Sequence, residues 1–153
     1  MPLNVVVLLV ALVGATLIGF AIRRYNGHFR GAARADDETA AVARDHEAVR
    51  EALRREDVPG GEFGETATLL QFSSAFCAPC RVTRRILGEV AALVPGVTHV
   101  EIDAEHHLEL VRRLGVRRTP TTFVLDAAGG IVTRASGPPT KAAVIAALGR
   151  VVE

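Results

Sequence analysis

From Leu3 to Ile22 the chain runs for 20 residues without a charge, and only Asn4, Gly14, Thr16 and Gly19 fall outside the hydrophobic class. As a helix rising ~1.5 Å per residue, that run spans about 30 Å, the hydrocarbon thickness of a bilayer. Every charged residue comes after Ile22. The chain therefore reads as a membrane segment followed by a soluble part, and a disordered or fibrous class is excluded. Its 153 residues suffice for one domain and an appendage. Lys and Arg number 18 against 17 Asp and Glu, a net charge of +1. That balance leaves no broad electrostatic footprint for nucleic acid.

A cleaved signal peptide competes with a retained anchor. It expects a basic start, a shorter apolar core and a small-residue cleavage site. No Lys or Arg precedes the run, and Arg23, Arg24 and Arg30 separate it from the faint Ala33-Arg34-Ala35 site. A retained single-pass anchor is the expectation. Arg34 joins the other three arginines on this flank, with no acid before Asp36. Positive flanks stay on the cytoplasmic side, so the soluble part is expected there, with Tyr25 and Phe29 at the headgroup level. Contact with lipid phosphates accounts for the same arginines without further function.

Asp36 to Asp57 has helical spacing of Val42, Val49 and Leu53, and Glu51 and Arg55 form a favourable i,i+4 pair. It is either a stalk or a first helix packed on the domain, ended by Pro59-Gly60-Gly61. Thr66–Ser73 then reads as a buried strand. Pro79–Leu93 reads as a helix with Val82, Ile86, Val90 and Leu93 on its apolar face, stopped by Pro95-Gly96. Thr98–Asp103 is a strand, Leu108–Leu114 a short helix, and Thr121–Asp126 and Ile131–Ser136 are strands joined by an Ala127–Gly130 hairpin. Thr140 caps a last helix with Val144, Ile145 and Leu148 inward. The order predicts an α/β fold with a mixed central sheet and helices on both faces.

The two cysteines are Cys77 and Cys80, at the junction of a predicted strand and helix. A helix N-terminus presents free N–H groups and the positive end of the macrodipole, which favour the Cys77 thiolate. Pro79 suits the first turn, where its missing N–H costs nothing. Cys80, three residues on, shares the face and can reach the first sulfur. Such a pair can attack a disulfide, form a mixed disulfide and release product when Cys80 attacks Cys77. A structural zinc site needs more ligands, and the adjacent His106 and His107 lie outside finger spacing, so no metal is expected. A purely structural disulfide closing so short a loop would staple little.

From about Gly64 to the C-terminus the chain resembles the thioredoxin family. The resemblance lies in TLLQFSSAFCAPC, in VEID at 100–103, in LGVRRTPTTFVLD at 114–126 and in the GG hairpin followed by Gly137. It implies a thioredoxin fold and a cis Thr119–Pro120 bond facing the cysteines. It also implies a docking groove shaped by Thr119, Pro120, Phe76, Ala78 and Gly137. Phe76 replaces the family's usual Trp, and Ala78-Pro79 its usual Gly-Pro. Thioredoxins also carry a buried Asp six residues before the first cysteine, with a Lys partner on the neighbouring strand. Gln71 and His99 match those positions here. An amide cannot act as a base. Either water or His99 would then relay the Cys80 proton, or the step is slower; equally, His99 is a core imidazole hydrogen-bonded to Gln71.

These readings give an anchor at 1–25, a basic juxtamembrane segment and charged helix or linker at 26–60, and a thioredoxin-like domain at 61–153. The expected activity is thiol–disulfide exchange with protein disulfides, with no cofactor beyond the Cys77–Cys80 disulfide. A cytoplasmic domain would draw electrons from a thioredoxin-reductase-like flavoprotein. An inverted one would serve cytochrome or cell-envelope maturation, fed by a membrane electron carrier. A redox-silent binding module on the same fold is the third possibility.

Overall fold

A computed structural model describes residues 3–25, 29–31 and 63–152. Helix α1, Leu3–Tyr25, is long and apolar enough to cross a membrane, and its Val5–Ile22 span is not buried against the rest of the chain. The other described elements are β1 Phe29–Gly31, β2 Ala67–Ser73, α2 Ala78–Leu93, β3 Val97–Asp103, α3 Leu108–Arg113, β4 Thr121–Asp126, β5 Ile131–Ser136 and α4 Lys141–Val152. The charged segment expected at Asp36–Asp57 lies outside the described residues.

β2 is buried along its whole length because both its faces are covered. Leu70 and Phe72 enter one core with Val100, Ile102, Phe123 and Leu125, closed by Leu110 and Leu114 around α3. There Phe72 and Phe123 meet edge to face at 5.9 Å, and the Arg134 guanidinium lies 5.4 Å from the Phe123 ring centre. Ala67 and Leu69 enter the other core, under Leu87 and Val90 of α2 and Val144, Ala147 and Leu148 of α4.

The sheet order is β1-β5-β4-β2-β3, parallel between β2 and β3 and antiparallel elsewhere. The β4–β5 hairpin turns on Asp126, whose Oδ1 accepts the Gly130 N–H at 2.7 Å, with Gly129 at φ 84°. The Ala143 N–H donates to Thr140 Oγ1 at 3.2 Å, the expected cap of α4.

Three expectations need correction. First, α2 buries Cys80, Thr83, Leu87 and Val90, whereas Val82 and Leu93 are exposed. The first turn sets this rotation. Cys80 must point inward, and Thr83 can follow because its hydroxyl donates to the Pro79 carbonyl at 3.1 Å. Second, Ile145 is exposed, and Ala147 takes the inward position on α4. Third, Phe29, assigned to the headgroup level, pairs with Ala135 as the start of a fifth strand and packs half-buried on the α2–α4 core. Three residues were too few for periodicity to reveal that strand.

The rotation of α2 has a measurable consequence. Leu87→Ala should cost about 2–5 kcal/mol of unfolding free energy, and Leu93→Ala should stay within about 0.5 kcal/mol. Urea midpoints followed by circular dichroism check both, and equal costs would contradict the burial pattern.

Candidate functional site

The site begins where β2 gives way to α2. Cys77 is the N-cap of α2, with extended backbone, and its Sγ accepts the Cys80 N–H at 3.1 Å. A sulfur thus fills the place that Ser or Asp usually takes at a helix start. Pro79 lies in the first turn, as its missing N–H allows. Cys77 and Cys80 are joined in a disulfide. Cys77 is partly open to solvent, while Cys80 is buried, 2% exposed. This asymmetry leaves Cys77 the more accessible residue of the pair and shields Cys80.

Beneath the helix start, Gln71 is fully buried. Its Nε2 donates to the Cys80 carbonyl at 3.1 Å and lies 3.4 Å from Glu101 Oε1. The amide oxygen therefore faces His99, whose Nε2 is 3.2 Å away and must carry the hydrogen. Glu101 stands opposite Gln71 in the parallel β2–β3 register, and Arg84 of α2 reaches over to it with a 2.9 Å bond. The Gln71–His99 contact was among the expectations, but Glu101 and Arg84 were not. For Glu101 the signal was present: it lies two residues after His99, so it shares that face of the strand. Thr122 pairs with Gln71 from the other side, and its buried Oγ1 has no hydrogen-bond partner among the described residues.

The other flank carries the residues that the family resemblance assigns to a docking groove. The Thr119–Pro120 peptide is cis. Thr121 pairs with Phe72, which sets the Pro120 turn beside the segment leading to Cys77. Thr119 Oγ1 and Ser74 Oγ lie 3.1 Å apart and tie the two loops together, a role for Ser74 that sequence reading missed. Gly137, at φ 92°, donates its N–H to the Pro120 carbonyl at 2.8 Å. Phe76 is 98% exposed beside Cys77, and Ala78 is also exposed. Hydrophobic side chains so open are informative when they flank a reactive group.

A cleft of about 540 Å³ opens on the α2–β3 side, lined by Cys77, Cys80, Arg81, Arg84, Glu101 and His106, among others. His106 is exposed and bonded through Nδ1 to Asp103 at 2.9 Å. That contact and the Glu105 N–H, which contributes more, hold the Asp103 carboxyl below its ordinary value. No group of three or more His, Cys, Asp or Glu suited to a metal ion occurs among the described residues.

Burial pushes the His99 imidazole below its ordinary 6.5; Glu101 opposes this shift and Arg84 adds to it. On acidification the unfolded chain therefore takes up this proton before the folded one. The stability it carries is complete above the unfolded value and is lost as the pH falls from there through the lower folded value. His99→Gln should flatten the fall in melting temperature between about pH 7 and pH 5. An identical pH profile in variant and parent would show that His99 does not titrate in this way.

The thioredoxin family profile matches residues 62–150, more than half of the chain. The chain is 37% identical over 60 residues to thioredoxin H5 of Oryza sativa subsp. japonica, covering 39% of this chain and 44% of that protein. It is 32% identical over 57 residues to thioredoxin H4-1 of the same organism, covering 37% and 44%. The aligned part thus spans under half the length of these curated relatives. In three dimensions it is similar to a mutant thioredoxin from Halobacterium salinarum, with TM-score 0.54, 21% identity and coverage of 65% of this chain and 83% of that one. Spinach chloroplast thioredoxin f gives TM-score 0.53 at 18% identity over 70% and 85%. With the disulfide at a helix start, the cis-proline turn and this match over residues 62–150, the chain belongs to the thioredoxin family.

Proposed function

We propose that this chain is a membrane-anchored thiol–disulfide oxidoreductase that reduces protein disulfides through the Cys77–Cys80 dithiol. The observation that carries the proposal is the sulfur of Cys77 at the N-cap of α2, on a partly exposed residue and bonded to a backbone N–H, with Cys80 buried behind it. In the reduced form the same N–H and the helix dipole stabilise a Cys77 thiolate. That thiolate attacks one sulfur of a substrate disulfide, forming a mixed disulfide and releasing the other sulfur as a thiolate. Cys80 then loses its proton and attacks the Cys77 sulfur. The second substrate thiol leaves, and two electrons have passed from the dithiol to the substrate. The product is the Cys77–Cys80 disulfide, the form described above.

Phe76 and Ala78 supply the apolar contact for the substrate, and Thr119 and Pro120 the backbone surface beside it. Gly137 leaves room for an approaching chain. The Gln71 amide cannot take the Cys80 proton. The His99 Nε2 is already bonded to Gln71, so His99 holds that amide in place. The proton passes to water in the cleft that Cys80 and Glu101 both line. Mixed-disulfide resolution in His99→Gln should accordingly keep the parent rate and pH dependence; a slowed, pH-shifted step would make His99 the relay instead.

Reduction of insulin disulfides by the prereduced chain should fall to background in Cys77→Ser, and Cys80→Ser should accumulate the mixed disulfide. Full activity in Cys77→Ser would sink the proposal, leaving a tethered fold that only binds. The arginine flank of α1 supports a cytoplasmic domain supplied by a thioredoxin-reductase-like flavoprotein. Cys77 should then resist a membrane-impermeant alkylating reagent on intact, reductant-treated cells and react once they are opened. Labelling from outside would invert the topology and favour a membrane electron carrier as donor.

A further inference from the structure

The pairing register places one line of residues across the sheet: Phe29 beside Ala135, Ala135 beside Thr122, Thr122 beside Gln71, and Gln71 beside Glu101. The first strand residue after the apolar helix thus shares a row with the glutamine under Cys80. The direction of β1 matters as much. Phe29 to Gly31 runs alongside Ala135 to Thr133, away from Ser136, Gly137 and Pro120. The chain coming from α1 therefore enters the sheet from the end that carries the disulfide.

Its reach is short. Between Ile22 and Tyr25 the helix rises about 4.5 Å, and the four peptide steps from Tyr25 to Phe29 add at most about 14 Å. Some 5–7 Å of that distance lies within the headgroup layer. The disulfide end of the sheet is thus held close to the bilayer surface. The far end, at the Ala127–Gly130 hairpin, lies about 17 Å further along β4.

We infer that the anchor turns the Cys77–Cys80 end of the domain toward the bilayer, and that its preferred substrates are disulfides of integral membrane proteins lying just outside the bilayer. This rests on the anchored-oxidoreductase reading above and names the substrate class for it. A freely diffusing protein must enter the narrow space between domain and membrane, whereas a disulfide carried by a neighbouring span is already there. Phe76, 98% exposed next to Cys77, is the apolar contact such a partner meets first. A lipid provides no disulfide to accept the electrons, so the occupant is a protein. The exchange is the one written above: two electrons from the dithiol, two thiols on the partner.

The test uses the full chain, prereduced, in phosphatidylcholine vesicles. One substrate is a synthetic single-span peptide with a disulfide loop six residues beyond its apolar stretch; the other is soluble insulin. A variant carries 20 flexible Gly/Ser residues inserted after Asn26, upstream of β1. The insertion should slow reduction of the span-borne disulfide several-fold and speed reduction of insulin several-fold, since it dilutes the first encounter and opens the second. Unchanged rates on both substrates, or a gain on the span-borne one, would overturn the inference. Flotation with the vesicles and insulin reduction in detergent separately report the anchor and the chemistry. Loss of either would sink the underlying proposal, and this inference with it.

Discussion

The hydrogen bond from the Cys80 N–H to the Cys77 sulfur joins the fold to the chemistry. A helix start must satisfy its orphan donors, and here a sulfur does so in place of an oxygen. To serve as that cap, Cys77 has to sit on the last extended residue before α2, which fixes Cys80 three positions on and facing inward. The buried face of α2 follows: Thr83, Leu87 and Val90 continue the line begun by Cys80. The requirement that a sulfur end the loop thus sets how the whole helix rolls on the sheet.

Below that junction the polar groups around the buried Gln71 form a connected set. Gln71 links the Cys80 carbonyl, the His99 ring and the Glu101 carboxylate, and Arg84 caps the set from above. A buried amide costs little when its donor and acceptor sides are both occupied. The family's usual carboxylate at this position is replaced by a neutral group, with a charged pair one strand away. The carboxylate beside Gln71 is that of Glu101, and the Arg84 guanidinium meets it.

Much of this was legible in the residues. The bounds of β4 and β5 were read as they stand, because Pro120 and the Ala127–Gly130 turn punctuate them. The cysteine pair followed from its place at a strand–helix junction, and the cis proline from the family resemblance. The inward face of α2 did not, because Val82, Ile86 and Leu93 make a plausible apolar stripe and nothing in hydrophobicity gives priority to a cysteine. β1 was invisible because Phe29 next to an arginine flank looks like a membrane-interface residue, and only its partner strand reveals otherwise. Glu101 and Arg84 are separated by 17 positions in sequence, so their meeting depends on how α2 crosses β3.

β1 also changes what the outer border of the sheet presents to other molecules. Without it, β5 would carry an unsatisfied row of backbone donors and acceptors, the kind of template on which chains stack into aggregates. The strip Phe29–Gly31 covers the Thr133–Ala135 stretch of that row. A version cut anywhere beyond Gly31 would lose this seal together with the apolar helix. On the anchored reading, the same few residues that lead out of the membrane also cover that stretch of the border.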